Sequence, residues 1–240
     1  MTLDAIIGSG KAKDDDGFCR ETAATMQPQP GRPRIVVFST WNSDYSCLAD
    51  IARPNWVAYC KRHGYGLRFY PGEFHLNPKE LATYGDKGKF RLYYDLRGHA
   101  DYVMWLDIDS LFMNHDIKIE DRMGQRFVWT YDDSGPLSGL WIAGTDAVTE
   151  KHLRYAYEKA AIENNVRHGV IETNGISDQD AMRSLMAIPP FEMTFANCQP
   201  AMTFGHCFPE NYYDGAWIIT FPGRPLNERI ALMQEWAAKT

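Results

Sequence analysis

The segment Tyr102-Val103-Met104-Trp105-Leu106 constrains the fold more than any other, because five consecutive apolar residues leave no side of a strand for solvent. Such a strand belongs in the middle of a sheet covered on both faces. It runs directly into Asp107-Ile108-Asp109. In extended backbone the i, i+2 spacing sends both carboxylates to one side while Ile108 turns to the other. In open α/β sheets ligands bind beyond the carboxyl ends of the strands, which is where this pair falls. Two acidic groups so placed repel each other and call for a counter-charge, and a hard divalent cation that also holds phosphate oxygens supplies one. The blander alternative is that one Asp caps the following turn and the other is solvated.

The flanking pattern alternates between strand and helix. Arg34 to Thr40 reads as a buried first strand, Asn55 to His63 as a helix closed by Gly64, and Leu67 to Tyr70 as a second strand. A helix over about 87–97 puts Phe90, Tyr93 and Tyr94 on one flank and stops at Gly98. Beyond the acidic pair, Phe127 to Tyr131 and Leu140 to Ala143 read as strands around a polar turn at Asp132-Asp133-Ser134-Gly135-Pro136. Helices are predicted over 147–164 and 177–187, a late strand over Trp217 to Phe221, and a terminal amphipathic helix over 227–239 with Ile230, Met233, Trp236 and Ala237 inward. This predicts one α/β domain with a mostly parallel central sheet flanked by helices. Residues 1–33, with the Asp14-Asp15-Asp16 run and Gln27-Pro28-Gln29-Pro30-Gly31-Arg32-Pro33, carry too little apolar area to offset ordering and predict a flexible tail ahead of a domain over 34–240.

Bulk properties narrow the partners. A net charge of −6 argues against a broad footprint for nucleic acid or an anionic membrane, and leaves room for a local basic pocket. The five cysteines form no CxxC pair and are odd in number, which suits a reducing compartment and speaks against zinc. No stretch approaches the ~18 apolar residues of a membrane helix, and the first residues lack a signal-peptide layout, so a cytoplasmic protein is expected. A dinucleotide fingerprint and a P-loop are both missing.

The run from Tyr102 through Asp107-Ile108-Asp109 to Phe112 resembles the DXD segment of GT-A glycosyltransferases. Lys89 stands upstream where related sequences have a Lys, Ser138-Gly139-Leu140-Trp141-Ile142 resembles their N/S-S/T-G-x-F strand, and Asp178-Gln179 resembles the start of their D-Q-x-A-L helix. Order and spacing over about residues 34–225 most resemble the fungal galactosyl- and mannosyltransferases and plant xyloglucan xylosyltransferases.

The resemblance implies a single nucleotide-diphospho-sugar transferase domain of GT-A type, a UDP- or GDP-sugar donor, a glycan or small-molecule acceptor, Mn²⁺ or Mg²⁺, and retention of anomeric configuration. It implies that Asp107 and Asp109 hold metal and diphosphate, that Ser39 and Thr40 lie near the nucleotide, that Lys89 pairs with phosphate, and that Asp178 and Gln179 lie near the anomeric carbon. One departure stands out: where the family has His in a late H-F-x-G segment, this chain has Thr220-Phe221-Pro222-Gly223. His206 is the candidate replacement ligand, and Arg224, just past Gly223, is a further candidate cation for the leaving diphosphate. Ordinary roles compete for several of these, Lys89 as a solvated lysine and His206 as a loop histidine. Two other functions stay open: a haloacid-dehalogenase-like phosphotransferase with Asp107 as nucleophile, and a non-catalytic module that binds nucleotide or glycan.

Overall fold

The computed structural model describes residues 21–71, 88–123, 126–133, 135–151, 153 and 198–240. In chain order these form strand β1 (Glu21–Ala24), β2 (Ile35–Trp41), helix α1 (Ser46–His63), β3 (Gly66–Pro71), α2 (Gly88–Leu96), β4 (Tyr102–Leu106), β5 (Ser110–Phe112), β6 (Phe127–Asp132), β7 (Gly135–Gly144), β8 (Cys198–Pro200), α3 (Ala201–Phe204), β9 (His206–Cys207), β10 (Ile218–Thr220) and α4 (Leu226–Ala237). A helix also begins at Ala147.

A seven-stranded sheet runs β1-β3-β2-β4-β7-β6-β8, which puts the apolar β4 between β2 and β7 as its sequence demands. Val103 to Leu106 are all buried. The sheet is mixed rather than mostly parallel. β2 lies parallel to β3 and β4, and β6 parallel to β8, whereas β1 with β3, β4 with β7 and β6 with β7 are antiparallel. The reason is the short turn after Asp132: a link this short makes a hairpin, and a hairpin is antiparallel. β7 then lies against β4 in the reverse sense.

A second, three-stranded sheet has the order β5-β10-β9. The chain therefore leaves the large sheet at Leu106 and enters the small one at Ser110, and Asp107-Ile108-Asp109 is the crossing between them. α1 fixes that crossing. Buried Asn55 donates from Nδ2 to the Phe112 carbonyl at 2.8 Å and accepts from the Phe112 N–H at 2.8 Å. Trp56 donates from Nε1 to the Ser110 carbonyl at 2.9 Å, and the Tyr59 ring stacks on Phe112 at 3.7 Å.

Two sequence expectations need correction here. Glu21 to Ala24, assigned to the tail, pair with β3 as an edge strand, and residues 1–20 lie outside the described residues. α1 begins at Ser46 rather than near Asn55, with Pro54 inside it. Pro54 removes one N–H from the helix, but Leu48, Ala49 and Ala52 are buried ahead of it, so packing outweighs the break. The predicted helix over 177–187, and that over 147–164 beyond residue 153, lie outside the described residues.

Candidate active site

The acidic pair is held from both sheets. Asp107 N–H donates to the Gly139 carbonyl of β7 at 2.8 Å, and the Asp109 carbonyl accepts from Phe221 N–H, just past β10, at 3.0 Å. Ile108 and Asp109 form a turn, so strand alternation is not what orients the pair. The two carboxylates differ in access: the Asp107 side chain is 38% exposed and that of Asp109 8%.

Each faces a cation. Asp107 Oδ1 accepts from Trp105 Nε1 at 2.7 Å and lies 3.8 Å from Lys89 Nζ. Lys89 is buried, donates to the Ser138 carbonyl at 3.1 Å and sits over the Trp105 ring at 4.9 Å. It is thus a buried lysine beside the Asp107 carboxylate rather than a solvated one. Asp109 Oδ2 accepts from Arg229 Nη1 at 3.0 Å. Burial, and next the Asp107 charge, hold the Asp109 carboxyl well above the ordinary carboxylate range, against the pull of Arg229. Arg229 is anchored further: Nη2 donates to the Arg224 carbonyl at 3.0 Å and the guanidinium lies 5.6 Å from the Tyr45 ring.

Gly139 opens the other side of Asp107. A Cβ at residue 139 would stand 3.0 Å from Asp107 Oδ2, so its lack of a side chain leaves that oxygen room.

The remaining sequence candidates fall in different places. Ser39 and Thr40 lie in β2, just past the Phe38–Trp105 register pair and thus at the same sheet edge as Asp107. Ser39 is buried with no hydrogen-bond partner for its hydroxyl among the described residues, whereas Thr40 donates to the Tyr70 carbonyl at 2.7 Å. Arg224 is not a free cation, because its guanidinium pairs with Glu210 and with Glu228 one helical turn on. His206 does not join the carboxylates. Its Nδ1 hydrogen-bonds with Thr130 Oγ1 at 3.0 Å, and burial lowers its pKa to about 4, so the ring is neutral near pH 7. Among the described residues no group of three His, Cys, Asp or Glu side chains is arranged to hold a metal. Thr220, set against a His in the resemblance, lies beside the turn, where the Ser110 and Thr220 hydroxyls hydrogen-bond at 3.0 Å. Asp178 and Gln179 lie outside the described residues.

The cation that sequence reasoning missed is Arg229. It stands four residues before Met233, the buried residue of α4, so it shares the inward stripe; that spacing was the available signal.

A central apolar strand that ends in two carboxylates at the junction of a mixed sheet and a smaller one, with helices packed around them, is the GT-A type of α/β domain. Residues 32–126 match the model of the galactosyl transferase GMA12/MNN10 family, a match that spans less than half of the chain. Among solved structures, the chain is similar to a glycosyltransferase involved in the glycosylation of the major capsid of PBCV-1, at 14% identity over 85% of this chain and 100% of that one, with a TM-score of 0.60. It is also similar to the galactosyltransferase LgtC solved with donor and acceptor sugar analogs, at 14% identity over 85% and 95% of the two chains and a TM-score of 0.47. The glycosyltransferase GlyE of Streptococcus pneumoniae TIGR4 matches at 12% identity over 86% of this chain and 60% of that one, with a TM-score of 0.46. No curated protein matches. Among the described residues, no helix is long and apolar enough to cross a membrane.

Proposed function

We propose that the chain is a glycosyltransferase that moves a hexose or pentose from a UDP- or GDP-sugar to a hydroxyl of a glycan or small-molecule acceptor, with divalent-metal assistance, retention of configuration and a cytoplasmic location. The family match and the fold support glycosyl transfer. The observation that carries the donor assignment is the presentation of half-exposed Asp107 beside buried Asp109, with Lys89 on one flank and Arg229 on the other.

Mn²⁺ or Mg²⁺ would be held by Asp107 and Asp109. Carboxylate oxygens are the hard donors such ions prefer, and the Asp107 side chain is 38% exposed. The bound ion supplies Lewis-acid stabilisation of a departing nucleoside diphosphate. Lys89 adds a fixed positive charge beside that diphosphate in a poorly solvated setting. Ser39 and Thr40 border the nucleotide. Asp178 or Gln179 would orient or stabilise the oxocarbenium-like centre. The bond from anomeric carbon to phosphate oxygen breaks, the acceptor oxygen bonds to that carbon from the same face, and the departing phosphate takes the acceptor's proton.

A calorimetric panel of UDP- and GDP-sugars, with and without Mn²⁺, identifies the donor. Asp109→Asn is expected to lower kcat/KM for transfer at least about 100-fold, with the circular dichroism spectrum unchanged. Full activity in that variant refutes the reading, and orthophosphate release from simple phosphate esters, indifferent to nucleotide-sugars, favours a phosphotransferase instead.

A further inference from the structure

We propose that Trp105 is a positioning residue of the site: the edge of its indole holds the Asp107 carboxylate, its face holds the Lys89 ammonium, and together these contacts set the affinity for the divalent cation. The inference rests on the assignment of Asp107 and Asp109 as that cation's ligands. Trp105 lies on the central strand β4, two residues before Asp107. Its Nε1 donates to Asp107 Oδ1 at 2.7 Å. Lys89 Nζ lies 4.9 Å from the Trp105 ring centroid and 3.8 Å from the same Asp107 oxygen. One side chain thus contacts both an acid and the cation beside it.

An indole can fix a carboxylate only if it is itself fixed. Trp105 is 3% exposed. Its ring stacks with that of Trp141 at 6.4 Å and 17° and meets Phe38 edge-on at 5.2 Å. Trp141 and Phe38 are also its register partners on β7 and β2, so strands on both sides set its orientation. An indole N–H can only donate, and the acceptor it meets is a carboxylate oxygen. A neighbour in the same aromatic layer shows that packing does not require such a bond. Trp129 is buried 5.0 Å from Phe127, which lies 5.9 Å from Trp141. Its Nε1 has no hydrogen-bond partner among the described residues. The layer accepts a ring whose N–H is unbonded, so the Trp105 N–H serves Asp107 rather than the core.

Groups that orient a metal-binding side chain through a hydrogen bond typically change metal affinity by about 10–100-fold when removed. The test is isothermal calorimetry of Mn²⁺ alone on the full chain, a readout separate from activity. Trp105→Phe keeps a ring beneath Lys89 and loses the N–H, and is expected to bind Mn²⁺ about tenfold more weakly than wild type. Trp129→Phe makes the same change of size in the same layer and is expected to bind within about twofold of wild type, because no partner is lost there. Wild-type affinity in Trp105→Phe, or an equal loss in both variants, overturns the proposal. Where Trp105→Phe does not fold, the indole resonances of isotope-labelled wild type decide: titration with Mg²⁺ is expected to shift that of Trp105 more than that of Trp129, and a Trp105 resonance unmoved at saturation overturns the proposal. Asp107→Asn separates this from the underlying assignment. If that variant loses Mn²⁺ binding while Trp105→Phe binds as wild type does, the positioning role alone fails; if it binds Mn²⁺ as wild type does, the carboxylate assignment fails and takes the proposal with it.

Discussion

Gly139 controls access to Asp107 through a single absent carbon. The Asp107 N–H is tied to the Gly139 carbonyl at 2.8 Å, so the aspartate cannot slide along β7 to escape an added methyl group. Gly139→Ala puts a Cβ 3.0 Å from Asp107 Oδ2, tighter than an ordinary contact, so the carboxylate has to give by a few tenths of an ångström. The expected result is a roughly tenfold loss in Mn²⁺ affinity and a matching fall in kcat/KM, with the melting temperature within a few degrees of wild type; an unchanged Mn²⁺ isotherm argues that this oxygen does not face the cation. At this scale the acidic residues were legible in the sequence because their chemistry is local: an apolar strand and two acids in three residues. Their partners were not. Arg224 and Arg229 both follow the late strand, and only packing decides that Arg224 meets Glu210 and Glu228 while Arg229 meets Asp109. His206 shows the same limit, since its place opposite Thr130 depends on how two sheets meet.

Among the elements, β5 is three residues long and holds its place through what surrounds it. Asn55 matches both backbone groups of Phe112, acting as a substitute strand partner from the middle of a helix. Removing it leaves a buried N–H and a buried carbonyl without those bonds. Asn55→Ala is expected to cost about 2–4 kcal/mol in denaturant unfolding and to lower transfer activity further than the stability loss alone, since β5 carries the turn that presents Asp109. An unfolding midpoint equal to wild type would show that β10, Trp56 and the Tyr59 stack secure the strand without Asn55. Strand and helix order was readable along the first half from apolar runs and Gly stops, and β4 was placed correctly at the centre because a strand without a polar face has nowhere else to go. The direction of β7 was not read, although the turn that reverses the chain was. The start of α1 was hidden by Pro54, whose local cost is outweighed by contacts that no local pattern reveals.

For the whole molecule, the seam between the two sheets carries a pH dependence. His206 lies in β9 of the small sheet and bonds to Thr130 in β6 of the large one, and its ring is buried. Its pKa of about 4 in the fold, against 6.5 for an ordinary histidine, means that the unfolded chain binds more protons between those values. Stability contributed here is full above pH 6.5 and is lost as pH falls towards 4, amounting to about 2 kcal/mol between pH 7 and pH 5. His63 and His115, also lowered chiefly by burial, push in the same direction. Asp109 opposes them, because a carboxyl raised by burial favours the folded state as it gains a proton. The wild-type slope is therefore a sum, and the difference between wild type and His206→Asn isolates one member of it. The amide offers Thr130 a partner in the position of Nδ1 but does not titrate. Urea unfolding at pH 7 and pH 5 should give a stability loss about 2 kcal/mol smaller in His206→Asn than in wild type. Parallel losses in the two proteins would mean that water reaches His206 and that the two sheets are not sealed against each other at this point.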